Sequence, residues 1–242
     1  MSLLDLLQHR RAVRHFDAQQ PIDSTVVRRC IEQSVLAPTS SNMQLWEAYH
    51  VTDPTVLKSL AHACLDQGTS TTAQQMVVFV TRPDRARRHA DLNLQMNIDN
   101  IRHTSPQEKQ TARIQLQKQY YARLMPFVYA RFCGLLGIFR VLLTQVLGLF
   151  RPMMRQVSES DIRVSIHKSC ALVVQTFMLA MSEAGYDTCP LEGFDSLRVK
   201  KALNLPRYGC EINMIITCGI RTPKGIWGER QRLPFDTFYH QV

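Results

Sequence analysis

Two short runs in this chain are apolar with almost no interruption: Met76-Val77-Val78-Phe79-Val80, and Ile212 to Cys218 with only Asn213 and Thr217 polar. A strand with one wet face alternates apolar and polar side chains, so these runs predict strands buried on both faces. Between them lies a segment that is apolar nearly all round from Cys170 to Met181, which predicts a helix buried in a core or a subunit interface. Ser158 or Ser160 supplies its N-cap and Gly185 its stop. Other helices are predicted over Ser2 to Gln8, from an Asp23 or Ser24 cap through Val26, Val27, Cys30, Ile31, Val35 and Leu36, after Asp53-Pro54, and over Asp195 to Leu203. Ser105-Pro106-Gln107-Glu108 has capping-box spacing ahead of a long polar helix. Trp46 to Val51 is a further strand candidate. Helices and buried strands alternate without a repeat, and no linker divides the chain. The class is therefore α/β or α+β, in one domain over residues 1–242.

With 45% hydrophobic and 20% charged residues the chain is not a disordered one. Lys and Arg number 29 against 20 Asp and Glu, a formal charge of +9. The excess is local. From Lys109 to Ser158 there are eight basic residues and no acidic one, so the remainder is nearly neutral. A uniformly basic coat and aromatic-basic interleaving are both missing, which argues against a nucleic-acid partner. The seven cysteines form no CxxC pair and read as small buried hydrophobes in a reducing compartment. Asp5 and three arginines interrupt the N-terminal stretch where a secretory signal needs an apolar core, so a cytoplasmic location is expected.

Four constellations carry chemistry. Arg10, Arg11 and Arg14 fall where a helix gives way to extended chain, and guanidinium forks match phosphate geometry. Pro38-Thr39-Ser40-Ser41-Asn42-Met43-Gln44-Leu45-Trp46 offers amides that suit a planar heterocycle with carbonyl and N–H edges. Cys189-Pro190-Leu191-Glu192-Gly193-Phe194-Asp195 reads as a Pro/Gly turn able to aim backbone N–H groups into a cavity. Gly219-Ile220-Arg221 and Arg230-Gln231-Arg232-Leu233-Pro234 add further arginines. Each alone is also an ordinary loop or turn.

In combination and order they resemble the nitroreductase family of FMN-dependent oxidoreductases: RRAVRxF at 10–16, PTSSNMQLW at 38–46, CPLEGFD at 189–195 and GIR…RQRLP at 219–234. The resemblance covers about 1–82 and 158–234. It implies an α+β fold with a central mixed β-sheet flanked by helices, in an intertwined homodimer with one FMN per subunit. Arg10, Arg11, Arg230 and Arg232 would hold the FMN phosphate, near Ala12. Arg14 would sit by the pyrimidine edge. Ser40, Asn42 and Gln44 would reach the cofactor of the partner subunit. Pro190, Leu191, Glu192 and Gly193 would lie along the isoalloxazine, with an N–H of Glu192 or Gly193 on flavin N5. Hydride would pass by a ping-pong route from NAD(P)H through N5 to a nitroaromatic, a quinone or a similar small electron acceptor. No side chain need act as an acid or nucleophile, and no metal is implied.

Three departures from the family stand out. Ala12 replaces a common serine, and Leu45 a common proline. Asp66-Gln67-Gly68-Thr69 lacks the Asn and Lys some relatives carry there, so a second positive charge near the ring is expected to be missing. Specialised members such as a reductive dehalogenase or an azoline dehydrogenase, or a membrane-associated flavin-binding module without turnover, are the alternatives.

The resemblance leaves a basic apolar helical insertion at about 109–157 unexplained. Leu124 to Phe150 has 19 apolar residues in 27, with Arg131 and Arg140 the only charges. Arg140, Thr144, Gly148, Arg151 and Arg155 recur as one helical stripe against an apolar remainder. That pattern predicts a peripheral contact at the inner face of the membrane, with a lid or dimer-packing element and a groove for a hydrophobic acceptor as competing readings.

Overall fold

The computed structural model describes residues 2–242. Four strands form one sheet in the order β1-β2-β4-β3: β1 Trp46–Val51, β2 Gln75–Thr81, β3 Asp187–Leu191 and β4 Glu211–Gly219. The helices, in chain order, are α1 Leu3–His9, α2 Ser24–Ser34, α3 Pro54–Ala63, α4 Gly68–Thr71, α5 Ala86–Thr104, α6 Gln107–Gln117, α7 Met125–Tyr129, α8 Leu135–Leu147, α9 Glu159–Glu183 and α10 Ser196–Ala202. A π-helical turn, Lys118–Leu124, joins α6 to α7. The class is α+β.

The unbroken apolar runs have a direct cause. In β2 every residue is buried, and its side chains divide by parity between two cores. Met76, Val78 and Val80 pack with Leu60, Ala63 and Val199 under α3 and α10. Val77 and Phe79 pack with Val27, Val173, Phe177 and Met181 under α2 and α9. The Phe79 and Phe177 rings sit 5.4 Å apart at a tilt. Helices cover both faces, so the strand is apolar throughout Met76 to Val80, and its polar ends, Gln75 and Thr81, are buried only with hydrogen-bond partners, Ile22 O and Glu211 O. Glu159–Glu183 is long and apolar enough to cross a membrane by length and composition, yet here it is the helix that closes this second core.

The capping signals fall where the sequence puts them. Asp23, Asp53 and Asp195 each accept from the first-turn N–H groups of α2, α3 and α10. Ser158 and Asp161 form a reciprocal capping box at the start of α9. Gly185 ends it at φ 77°, in the left-handed region.

Several expectations are corrected. All four strands pair antiparallel, and the one parallel contact is an isolated bridge between Ala12 and Thr188, so the sheet is mixed only at that edge. Cys189, Pro190 and Leu191 belong to β3 rather than to a turn. Proline is tolerated there because β3 is an edge strand. At Ser105 there is no capping box: Pro106 is the N-cap residue without a side-chain bond, because the Ser105 hydroxyl accepts from Arg113 at 2.6 Å.

The part of the basic stripe that lies on α8, Arg140 and Thr144, points inward. Arg140 is 2% exposed and Thr144 8%, while Ile138, Phe139, Leu142 and Val146 are 54–61% exposed. Arg140 donates from Nη1 to Phe127 O and Ala130 O and from Nε to Val157 O. The first two carbonyls lie at the C-terminal end of α7, where the helix dipole favours a cation. Arg155 packs onto Gly148, whose added Cβ would meet the guanidinium at 2.5 Å. Only Arg140 and Thr144 share a face within α8; Gly148 is its C-cap, and Arg151 and Arg155 lie beyond its end and are exposed. The expected stripe is therefore interrupted, with Arg140 taken up by intramolecular carbonyls and an apolar side of α8 left exposed.

Glu211 at the start of β4 joins α9 to the sheet. It pairs with Arg163 and with His167 at 3.2 Å, and Arg131 approaches to 3.8 Å. The His167 hydrogen bond, then the Arg163 contact, hold its carboxyl down at about 2 against the opposing effect of burial. A depressed carboxyl stabilises the fold above its unfolded value, near 4.3, and loses that contribution as pH falls toward 2. Glu211→Gln is expected to melt lower than the wild-type chain at neutral pH, with the gap closing on acidification through this window. Thermal melting of both proteins against pH checks it; a gap that does not shrink in acid contradicts the assignment.

Candidate cofactor site

The segment after α1 is extended, and its alternation sets the site. Val13 is fully buried and Phe16 nearly so, while Arg14 turns to the other side. The Val13 N–H donates to Thr188 O and the Arg14 N–H to Gly225 O, which fixes the strip between β3 and the C-terminal segment. Gly225 is required at that crossing, because a Cβ there would lie 2.5 Å from His15 O.

Arg10, Arg11, Ala12, Arg14, Arg230 and Arg232 line one cavity of about 290 Å³, together with Trp227. Arg230 donates to Arg10 O at 2.6 Å and Arg11 to Gly228 O at 3.0 Å, so the two arginine segments are tied to each other. Among the described residues none of the five guanidinium groups has a carboxylate within 4 Å, although Glu229 also lines the space. Burial, then the neighbouring Arg230 and Arg232, push the Arg10 guanidinium below its ordinary range. Positive charges held this close without a counter-ion form a ready site for a multivalent anion.

A second basin of about 680 Å³ adjoins this one, sharing Arg14 and Trp227 and adding Gln67, Gly68, Thr69, Thr222 and Lys224. The Arg14 guanidinium lies 5.7 Å from the centre of the Trp227 ring. Gln67 donates to Gly193 O at 3.1 Å, so Glu192 and Gly193, both exposed, abut the basin at its β3 side. Thr69 bonds Thr217 at 2.8 Å, anchoring the floor to β4. No cation from the 66–69 segment lines the basin, but Lys224 from the C-terminal side does. Lys224 and Trp227 are candidate site residues that sequence reasoning missed; the Thr222-Pro223-Lys224-Gly225 turn was the available signal. Arg221 does not belong to the site. It forms a two-armed pair with Asp187, donating from its backbone N–H and Nε at 2.8 and 2.7 Å, and holds the end of β3.

Ser40, Asn42 and Gln44 lie elsewhere. Their loop enters β1, at the opposite edge of the sheet from β3 and the arginines. Three strand spacings of about 4.8 Å put the two groups roughly 14 Å or more apart. Asn42 exchanges amide bonds with Asn93 and Gln44, at 3.0 and 3.1 Å, and adopts φ 52° as Asn tolerates. Six cysteines are buried, and Cys30 and Cys64 are pushed up by burial to about 11, Cys170 to about 12. No metal-binding group of His, Cys, Asp and Glu occurs among the described residues.

Fold and site together give an α+β protein in which an arginine-lined cavity adjoins a larger basin. The nitroreductase family model matches residues 7–220, the middle segment included, and the chain belongs to the nitroreductase family. It is 25% identical over 234 residues to Protein DrgA of Synechocystis, covering 97% of this chain and 91% of that one. It is 25% identical over 213 residues to an oxygen-insensitive NADPH nitroreductase of Helicobacter pylori, covering 86% and 83%. A structure from Exiguobacterium sibiricum, described as a nitroreductase-type protein in complex with FMN, superposes with a TM-score of 0.69 at 18% identity, over 100% of this chain and 98% of that one. The coarse function that follows is oxidoreduction.

Proposed function

We propose that the protein is an FMN-dependent oxidoreductase that takes hydride from NAD(P)H and delivers it to a small acceptor such as a nitroaromatic or a quinone. The observation that carries this is the arginine cavity: five guanidinium groups without carboxylate partners, opening onto a basin edged by Arg14 and Lys224. Arg10, Arg11, Arg230 and Arg232 would bind the phosphate. Arg14 and Lys224 favour a ring that gains negative charge, and Gln67, through Gly193 O, fixes the strip of backbone beside it. When bound, FMN supplies the two-electron redox chemistry. His15 and Lys224 also line the basin, but hydride transfer through the ring requires no side-chain acid or nucleophile, so in this reading the chain's role is orientation and electrostatics.

The site is completed by a second copy in this reading. Ser40, Asn42 and Gln44 sit at the far sheet edge and cannot reach their own chain's arginines, which supports a homodimer in which each loop serves its neighbour. The absorbance spectrum of the purified protein, before and after anaerobic NADPH or NADH, tests the proposal. A visible flavin band that bleaches is expected. A colourless protein that takes up no added FMN, or a bound flavin that neither nucleotide bleaches, overturns it.

A further inference from the structure

The inward stripe of α8 leaves something unfinished. The Arg140 guanidinium has five N–H donors. Nε and Nη1 spend three of them on the carbonyls of Val157, Phe127 and Ala130. Nη2 is buried and has no hydrogen-bond partner among the described residues. Glu159, the acid whose charge it feels, lies beyond ion-pair reach and accepts instead from the Phe132 N–H at 2.9 Å. A buried cation with only neutral carbonyls around it is costly unless an anion joins it.

Arg140 lines a cavity of about 450 Å³ between α7, α8 and α9. Apart from Arg140, the walls are mainly apolar: Met125, Leu143, Leu147, Met154 and Val157 among them, with Ser40 and Ser41 at one side. The volume is that of a small-molecule site, and the methionines adapt to irregular chains. No lining residue is shared with the arginine cavity or the Arg14–Lys224 basin.

We infer that this cavity binds an amphiphilic monocarboxylate, an aliphatic chain lying along Leu143, Leu147 and Met154 with its carboxylate accepting from Arg140 Nη2. Ser40, at the cavity's edge, is also assigned to the partner's cofactor in the flavin reading, but the binding measured here does not depend on that reading, since it is made without FMN. Dodecanoate and dodecan-1-ol are titrated calorimetrically into the purified protein below their aggregation limits. One dodecanoate per chain is expected, bound about tenfold or more tighter than the alcohol, the size of one charge-assisted hydrogen bond. Equal affinities, or no saturable binding, overturn the assignment. Arg140→Gln is expected to abolish the preference for the acid, though the variant also loses carbonyl contacts that hold α7. Two further variants therefore locate the ligand. Leu147→Trp, which fills the cavity, is expected to remove binding, whereas Leu142→Gln, on the exposed side of α8, is expected to leave it unchanged. The reverse pattern would place the chain on the outer surface and refute the cavity site.

Discussion

Replacing Arg10 and Arg232 together by alanine is expected to weaken FMN binding by about two to four orders of magnitude, with riboflavin affected little. Each guanidinium contact to a phosphate contributes about 1.5–3 kcal/mol, and two such losses add to roughly that range. Riboflavin is the control because it carries the ring without the phosphate. Both arginines are clear of carboxylates within the described residues, so their removal breaks no internal ion pair. Arg230 keeps its bond to Arg10 O, a backbone atom that the substitution retains. The ligand-free fold should even relax slightly, since Arg230 and Arg232 are among the charges that disfavour protonated Arg10. The expected signature is a large loss of FMN affinity with a ligand-free melting temperature that does not fall. Fluorescence titration with both flavins and melting of the apoprotein measure it. Equal losses for FMN and riboflavin would move the phosphate away from this cavity.

The contrast between what could and could not be read from the chain has a physical basis. The β2 run was legible because burial on both faces removes every polar position, and the resulting pattern is local. The cap at Asp53 was legible for the same reason, and those at Asp23 and Ser158 were each one of two candidates, since a cap bonds N–H groups two or three residues away. The alternation of Val13 and Arg14 likewise follows from extended geometry. Lys224 was hidden. Its place beside Arg14 depends on Gly225 crossing His15 at backbone distance, a contact between the two ends of the chain. The α8 stripe shows the limit more sharply. Helical period says which residues share a face, but not which way that face turns. The direction was decided by carbonyls at Phe127, Ala130 and Val157, none of them on α8. A basic stripe is a membrane signal only when nothing inside the protein can take it. The sheet order adds a third case: the resemblance implies that residues 38–46 serve the partner's cofactor, but that β1 and β3 stand at opposite sheet edges depends on long-range pairing that no local pattern encodes.

That last question has its own decisive result. Mixing the Arg10→Ala, Arg232→Ala chain with a Ser40→Ala, Asn42→Gly chain is expected to restore about a quarter of wild-type activity, although each parent alone is nearly inactive. The argument is one of symmetry. In a two-fold dimer both subunits present the same surfaces, so if one site draws its arginines from one chain and its 40–44 loop from the other, the second site does the same in reverse. A dimer with one chain of each kind then contains one site with every lesion and one with none. Random pairing makes about half the dimers mixed, each with one intact site of two, which gives about a quarter. Glycine at position 42 keeps the positive φ of the loop but also removes the amide bonds to Asn93 and Gln44, so an unchanged melting temperature of this variant is the control that the loop keeps its shape. Were the loop instead to serve its own chain's arginines, every site in the mixture would carry a lesion and activity would stay at the average of the parents. Titrating one variant against the other, with FMN held limiting, separates the two arrangements. A restored quarter would give the roughly 14 Å between the outer strands of the sheet a functional meaning, as a gap that a second copy closes.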